Sequence, residues 1–193
     1  PSGTLLDNQA RRSALTAGQA PFAIILGCSD SRVPAEIVFD QGLGDLFVIR
    51  VAGNIVAPSQ IGSVEFAAER FGTPLVVVLG HSQCGAVLAT LEALEQPAEY
   101  QSRNLRSIVD RVRPSVEALL ATELKDDHET LVQQAVRAHA IGSWAQLNVR
   151  QNLALNPNEV SGEGEQNEGH QGGLDQADDD EFHAISGLRT VQL

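Results

Sequence analysis

Two apolar runs in this chain stop abruptly in polar clusters, and that pairing restricts the fold more than any other feature. Phe22-Ala23-Ile24-Ile25-Leu26 leads into Gly27-Cys28-Ser29-Asp30-Ser31-Arg32, and Leu75-Val76-Val77-Val78-Leu79 leads into Gly80-His81-Ser82-Gln83-Cys84-Gly85. Short runs without polar alternation read as strands covered on both faces, the pattern of a parallel sheet between helices. The carboxyl ends of parallel strands face one crevice, so both clusters are expected to meet there. A third run, Leu46 to Val51, ends in Ala52-Gly53-Asn54 and aims at the same crevice. Pro34 to Phe39 opens as a helix, with proline in the first turn and an early Glu36. Pro58 to Phe71 reads as a longer helix, capped by Ser59, apolar along Ile61, Val64, Phe66, Ala67 and Ala68, and closed by Gly72. Strand, helix and strand there make a crossover unit. The expected fold is α/β, a mostly parallel central sheet flanked by helices.

The crevice would hold Cys28, His81 and Cys84. Two thiolates and an imidazole form a ligand set suited to zinc, and three protein ligands leave a fourth position for water or a side chain. Asp30 can reach that position, and Arg32 can reach Asp30. A thiol at the start of the helix that begins near Cys84 has its thiolate favoured by the helix dipole. Competing readings remain open at this point: a disulfide between Cys28 and Cys84, which are the only cysteines, a purely structural zinc, and a local Asp30–Arg32 ion pair that only shapes its loop.

These residues carry a resemblance. Cys-Ser-Asp-Ser-Arg at 28–32 with His-x-x-Cys-Gly at 81–85 resembles the signature of the β-class carbonic anhydrases. The similarity runs from about Gln19 to Ala93 and more weakly to about Leu147. It implies reversible hydration of carbon dioxide to bicarbonate and a proton by a zinc-bound hydroxide, with Cys28, His81 and Cys84 as ligands. Asp30 then has two stations: on the zinc in a resting state, or paired with Arg32, which frees the metal and lets Asp30 orient the hydroxide. The resemblance also implies substrate-pocket roles for Phe47, Gly53 and Gly85, and for Gln19 from across a dimer interface. The bland alternatives are a surface turn for Gln19 and core packing for Phe47. Family pockets form at dimer interfaces, so a homodimer or a dimer of dimers is expected. Two other activities stay open on the same fold: hydrolysis of carbon disulfide or carbonyl sulfide, and a non-catalytic zinc-bearing homologue.

Asn104 to Leu120 and Glu129 to Leu147 read as two further helices, with Asp126-Asp127-His128 as a capped break and Trp144 as packing. A short helix before Gln19 is expected to stop at Gly18. His128 and His139 read as solvent or core histidines, with proton shuttling the functional alternative, and His139 stands where the family usually carries asparagine. Beyond Leu147 the resemblance is lost. From Leu155 the chain has nine acidic residues against Arg189 alone, so eight of its twelve net negative charges lie there. Asn156 to Glu181 is too polar to offset its ordering entropy and is expected to be flexible, with Leu188 to Leu193 supplying one short strand or docking segment. His170 and His183 read as part of a solvated tail rather than a metal site. A damaged reading frame and an unusual terminus both account for this divergence. The organisation is then one zinc-enzyme domain over residues 1–154 and an acidic tail over 155–193. Pro1 in place of methionine implies a missing native N-terminus.

Net charge of −12 with Lys125 as the one lysine argues against nucleic-acid binding. No apolar run approaches the roughly 20 residues of a membrane span. Reduced cysteines and the lack of a visible secretory signal point to the cytoplasm.

Overall fold

The computed structural model describes residues 11–95, 102–150 and 187–192. Four strands, β1 (Ala23–Gly27), β2 (Leu46–Arg50), β3 (Leu75–Gly80) and β4 (Gly187–Gln192), form one sheet in the order β2-β1-β3-β4. Every neighbouring pair is parallel. β1 is buried along its whole length and β3 at every residue after Leu75, which is why their sequences show no polar alternation. β2 is an edge strand in this sheet, with a mixed burial pattern that ends in exposed Arg50.

After a short helical turn at residues 11–14, five further α-helices are described: α1 (Ala35–Val38), α2 (Pro58–Phe71), α3 (Gly85–Glu95), α4 (Arg103–Val116) and α5 (His128–Arg150). α2 carries the chain from β2 across β1 to β3, burying Ile61, Val64 and Ala67 against Ile24, Leu26, Ile49, Val76 and Val78. Leu147 of α5 joins that layer, and Trp144 packs against it as expected. α3, α4 and α5 form a second layer around Cys28 and Cys84, built from Val87, Leu91, Val112, Val116, Leu131 and Val136. The opposite sheet face gathers Ala23, Ile25, Leu46, Val77 and Leu79 with Ala35 of α1.

Helix boundaries follow local chemistry. α2 takes Ala57 as its N-cap with Pro58 in the first turn, so Ser59 lies inside the helix and bonds Gln60 rather than capping. Proline has a helical φ already and no N–H to satisfy, which lets the helix begin one residue early. Gly72 closes α2 in the left-handed region at φ 62°. α4 is capped by Ser102, whose hydroxyl accepts the Leu105 N–H at 3.1 Å. It gives way at Val116 to a 3-10 segment, Glu117–Ala121, short of the α-helix expected to Leu120. Pro114 cannot donate to the preceding turn, and the loss of that bond loosens the helix end. Asp127 caps α5, accepting the Thr130 N–H and hydroxyl at 3.2 and 2.7 Å. These donors hold its carboxyl below the usual range.

The helix expected before Gln19 is present over residues 11–14 and passes into a 3-10 turn, Leu15–Ala17, that Gly18 ends. The short strand expected near Leu188 is β4, which pairs along β3 from Leu75↔Gly187 to Gly80↔Gln192. The readings of Asn156 to Glu181, His170 and His183 lie outside the described residues. Among those residues no helix is long and apolar enough to cross a membrane.

Candidate metal centre

The site forms where β1 and β3 end. Cys28 follows β1 directly, and the loop after it is stitched to the end of β2: Val51 N–H donates to Gly27 O at 3.1 Å and Ser29 N–H to Val51 O at 3.2 Å. His81 follows β3, and Cys84 stands at the entrance of α3, its carbonyl accepting the Leu88 N–H. Gln83 turns the chain between them with φ 52°, an uncommon conformation for a residue with a side chain. The result brings the ligand atoms of Cys28, His81 and Cys84 within 4.8 Å of one another, all three residues buried. Both cysteines are free, so the disulfide alternative is not realised.

The donor set fits a metal ion. His81 Nδ1 lies 2.9 Å from Ser82 O, and a carbonyl can only accept, so the proton is on Nδ1. That leaves the Nε2 lone pair free, and Nε2 is buried with no hydrogen-bond partner. An orphaned buried acceptor facing two thiols is what a coordination site requires of a histidine. Cys28 is pulled down to about 4, chiefly by the Cys84 S–H donated to its sulfur and also by the Gly53 N–H, against the opposing effect of burial. Cys84 is pushed up, because it holds the shared proton and is buried. The two sulfurs thus compete for one proton, which a divalent cation held by both would displace.

Asp30 does not share in this cluster. Its Oδ1 accepts Arg32 Nε at 2.9 Å and the Arg32 backbone N–H at 3.0 Å, and its Oδ2 accepts Arg32 Nη2 at 2.7 Å. The fork-to-fork geometry holds the carboxyl well below the usual carboxylate range. Of the two stations expected for Asp30, this is the one on Arg32. Arg32 Nη2 also donates to Gln83 O at 3.1 Å, tying the first motif to the second.

Three residues support the ligands: Arg50, which was not read from the sequence, Gly53, expected there as a pocket residue, and His139, expected as a solvent or core histidine. Arg50, at the end of β2, donates from Nε to Cys28 O at 3.0 Å and from Nη2 to Asp30 O at 2.7 Å, clamping the ligand loop. Gly53 adopts φ 69° and donates its N–H to Cys28 Sγ at 3.3 Å; a methyl group there would lie 2.8 Å from Ala86 Cβ. His139 is a core histidine, 1% exposed, with Nε2 2.5 Å from Gly53 O. A charged residue closing an apolar strand beside a Gly-Asn turn was the visible signal for Arg50.

The remaining expected site residues are placed as follows. Gly85 is exposed, with open space over its Cα. Phe47 packs its ring against Phe66 and Phe71, centroids 6.3 and 6.0 Å away, in the layer under α2. Gln19 is exposed and precedes β1, at the strand end away from Cys28. The strand alone separates them by roughly 17 Å, at ~3.3 Å for each of its residues.

Fold and site together define a parallel α/β protein with a cysteine-histidine-cysteine metal centre at its strand ends. Residues 23–160 match the family model described as carbonic anhydrase, a match that extends past Leu147. The chain belongs to the carbonic anhydrase family, in its β class. It is 48% identical over 139 residues to the carbonic anhydrase of Mycolicibacterium smegmatis, covering 68% of this chain and 67% of that protein. It is 52% identical over 108 residues to carbonic anhydrase 2 of Mycobacterium tuberculosis, covering 54% of this chain and 50% of that protein. The aligned region thus spans about two thirds of one relative and half of the other. Among solved structures, the β-carbonic anhydrase CcaA superposes with a TM-score of 0.65 at 28% identity, over 76% of this chain and 67% of that one. One of two β-carbonic anhydrases from Sordaria macrospora, described as tetrameric, gives 0.59 at 25% identity, over 79% of each chain.

Proposed function

We propose that this protein is a zinc-dependent carbonic anhydrase that hydrates carbon dioxide to bicarbonate and a proton. The observation that carries the reading is the buried, unpartnered His81 Nε2 beside the Cys28 and Cys84 sulfurs while Arg32 holds both Asp30 oxygens. Cys28, His81 and Cys84 would hold zinc, which softer thiolate-containing sets favour over the harder divalent cations. Zinc supplies, when bound, a water acidified toward neutral pH as the nucleophile. Arg32 keeps Asp30 ionised and turned from the ligands, so that Asp30 offers an acceptor that orients the attacking water. Arg50 fixes the Cys28–Asp30 loop through its two carbonyls. Gly53 offers an N–H to the Cys28 sulfur, and Gly85 leaves space beside Cys84 for substrate.

We assign Gln19 to the pocket of a second copy, because it lies at the wrong end of β1 to serve its own, while the packing of Phe47 against Phe66 and Phe71 favours its core role. Phe22 and Phe66, each about half exposed, and Ile37, 78% exposed, offer apolar surface for the homodimer this requires. Two free, buried cysteines suit a reducing compartment, which supports a cytoplasmic location. The domain reading is one domain with an acidic stretch after residue 154, whose end returns to the sheet as β4.

The test is zinc content, particle size and carbon dioxide hydration on one gel-filtered sample, from about pH 6.5 to about 9, with carbonyl sulfide and carbon disulfide as competing substrates. One zinc per chain in a dimer or larger, with hydration rising with pH, supports the reading. Full zinc with no hydration at any pH overturns it in favour of a non-catalytic homologue, and turnover of the sulfur gases alone overturns it in favour of a hydrolase.

A further inference from the structure

Helix α5 runs behind the metal centre and buries two polar side chains one turn apart against the Ala52–Asn54 turn. His139 is 1% exposed and Ser143 is fully buried. Gly53 O lies 2.5 Å from His139 Nε2 and can only accept, so Nε2 carries the proton. Nδ1 is then a bare acceptor, and it is buried with no hydrogen-bond partner. Burial accordingly disfavours the charged imidazolium. Ser143 Oγ lies 3.5 Å from Asn54 Nδ2.

A histidine kept only for packing would satisfy both nitrogens or be replaced by an apolar side chain of similar size. This one leaves a nitrogen unpaired and gains a single directed bond. The bond is made to a turn that needs holding: Gly53 and Asn54 stand consecutively at positive φ, 69° and 40°. The same Gly53 points its N–H at Cys28 Sγ, 3.3 Å away.

We propose that His139, assisted by Ser143, is a positioning residue for the metal centre: it pins the Gly53 carbonyl so that the Gly53 N–H stays on the Cys28 sulfur. The path runs from α5 through the backbone of one glycine to a ligand at the end of β1. A hydrogen bond to a thiolate withdraws charge from it and fixes its direction, and partners of this kind set metal affinity by about 10- to 100-fold. This inference rests on Cys28, His81 and Cys84 forming the metal centre.

The experiment compares His139→Gln, which keeps an N–H donor, with His139→Met, which has similar length and no donor, and with Ser143→Ala. Zinc affinity is read by competition with a chromogenic chelator, and the cobalt-substituted proteins report the thiolate-to-cobalt charge-transfer band. His139→Met is expected to weaken zinc binding about 10-fold or more and to shift the band, His139→Gln to recover both, and Ser143→Ala to show a smaller loss in the same direction. Wild-type affinity and an unmoved band in both His139→Met and Ser143→Ala overturn the proposal. If His139→Met fails to fold, Ser143→Ala, which removes only a hydroxyl, decides alone. Wild-type protein that binds neither zinc nor cobalt overturns the metal-centre reading itself, an outcome distinct from the previous two.

Discussion

Gly53 and Gly72 share almost the same backbone, φ 69° and 62°, and differ in what surrounds them. An alanine at either position enters the left-handed region, which costs about 1–2 kcal/mol. Gly72 has open space around its Cα, so Gly72→Ala stops there. At Gly53 the new methyl would lie 2.8 Å from Ala86 Cβ and 3.6 Å from Val112 Cγ2. Ala86 Cβ is fixed to the backbone of α3 and cannot rotate away, so relief requires α3 or the turn itself to move. Overpacking of this kind adds about 1–3 kcal/mol, giving about 2–5 kcal/mol for Gly53→Ala. The smaller freedom of an unfolded alanine is the same in both variants and cancels. Urea unfolding at saturating zinc measures both, the difference being meaningful while the slopes stay equal. If Gly53→Ala comes within about 0.5 kcal/mol of Gly72→Ala, the steric account of this glycine is wrong.

Two further outcomes follow from named contacts. Arg32→Ala removes all three side-chain donations that keep Asp30 and the Gln83 carbonyl in place; carbon dioxide hydration is expected to fall about 100-fold or more with zinc content unchanged, and an active variant would remove the latch. Burial lowers the His139 pKa, so its neutral form belongs to the folded state. Its contribution is whole above the ordinary imidazole value near ~6.5 and is lost as pH falls from there through the folded value, since the unfolded chain takes up the proton first. In that window wild-type stability should drop relative to His139→Gln by up to ~1.4 kcal/mol per pH unit; urea midpoints of both proteins that fall in parallel with pH would refute this.

The two motifs were legible because each is local. Apolar runs that admit no polar residue must be covered on both faces, and a cluster that follows such a run must lie at a strand end. That reasoning placed Cys28, His81 and Cys84 in one crevice before any distance was known, and proline and glycine chemistry located α2 at Pro58–Phe71 and its stop at Gly72, although Ser59 does not cap it. The resemblance added the expected roles of Asp30 and Arg32, though not which station Asp30 occupies. Even the late strand was readable from Leu188 onward as an apolar return after a polar stretch, while its partner was not.

Register and layer order decided the rest. Arg50 clamps the ligand loop because β2 pairs with β1 so that Gly27 stands opposite Arg50, and a slip of one residue would turn its side chain to the other face. His139 reaches Gly53 across a sequence separation of 86 residues because α5 packs over the end of the sheet. No local pattern encodes that meeting. A sequence determines which residues turn inward and where elements stop, since those are set by neighbours within one turn or one strand. Which buried polar groups then face one another depends on the order in which strands assemble, and only the tertiary structure fixes that.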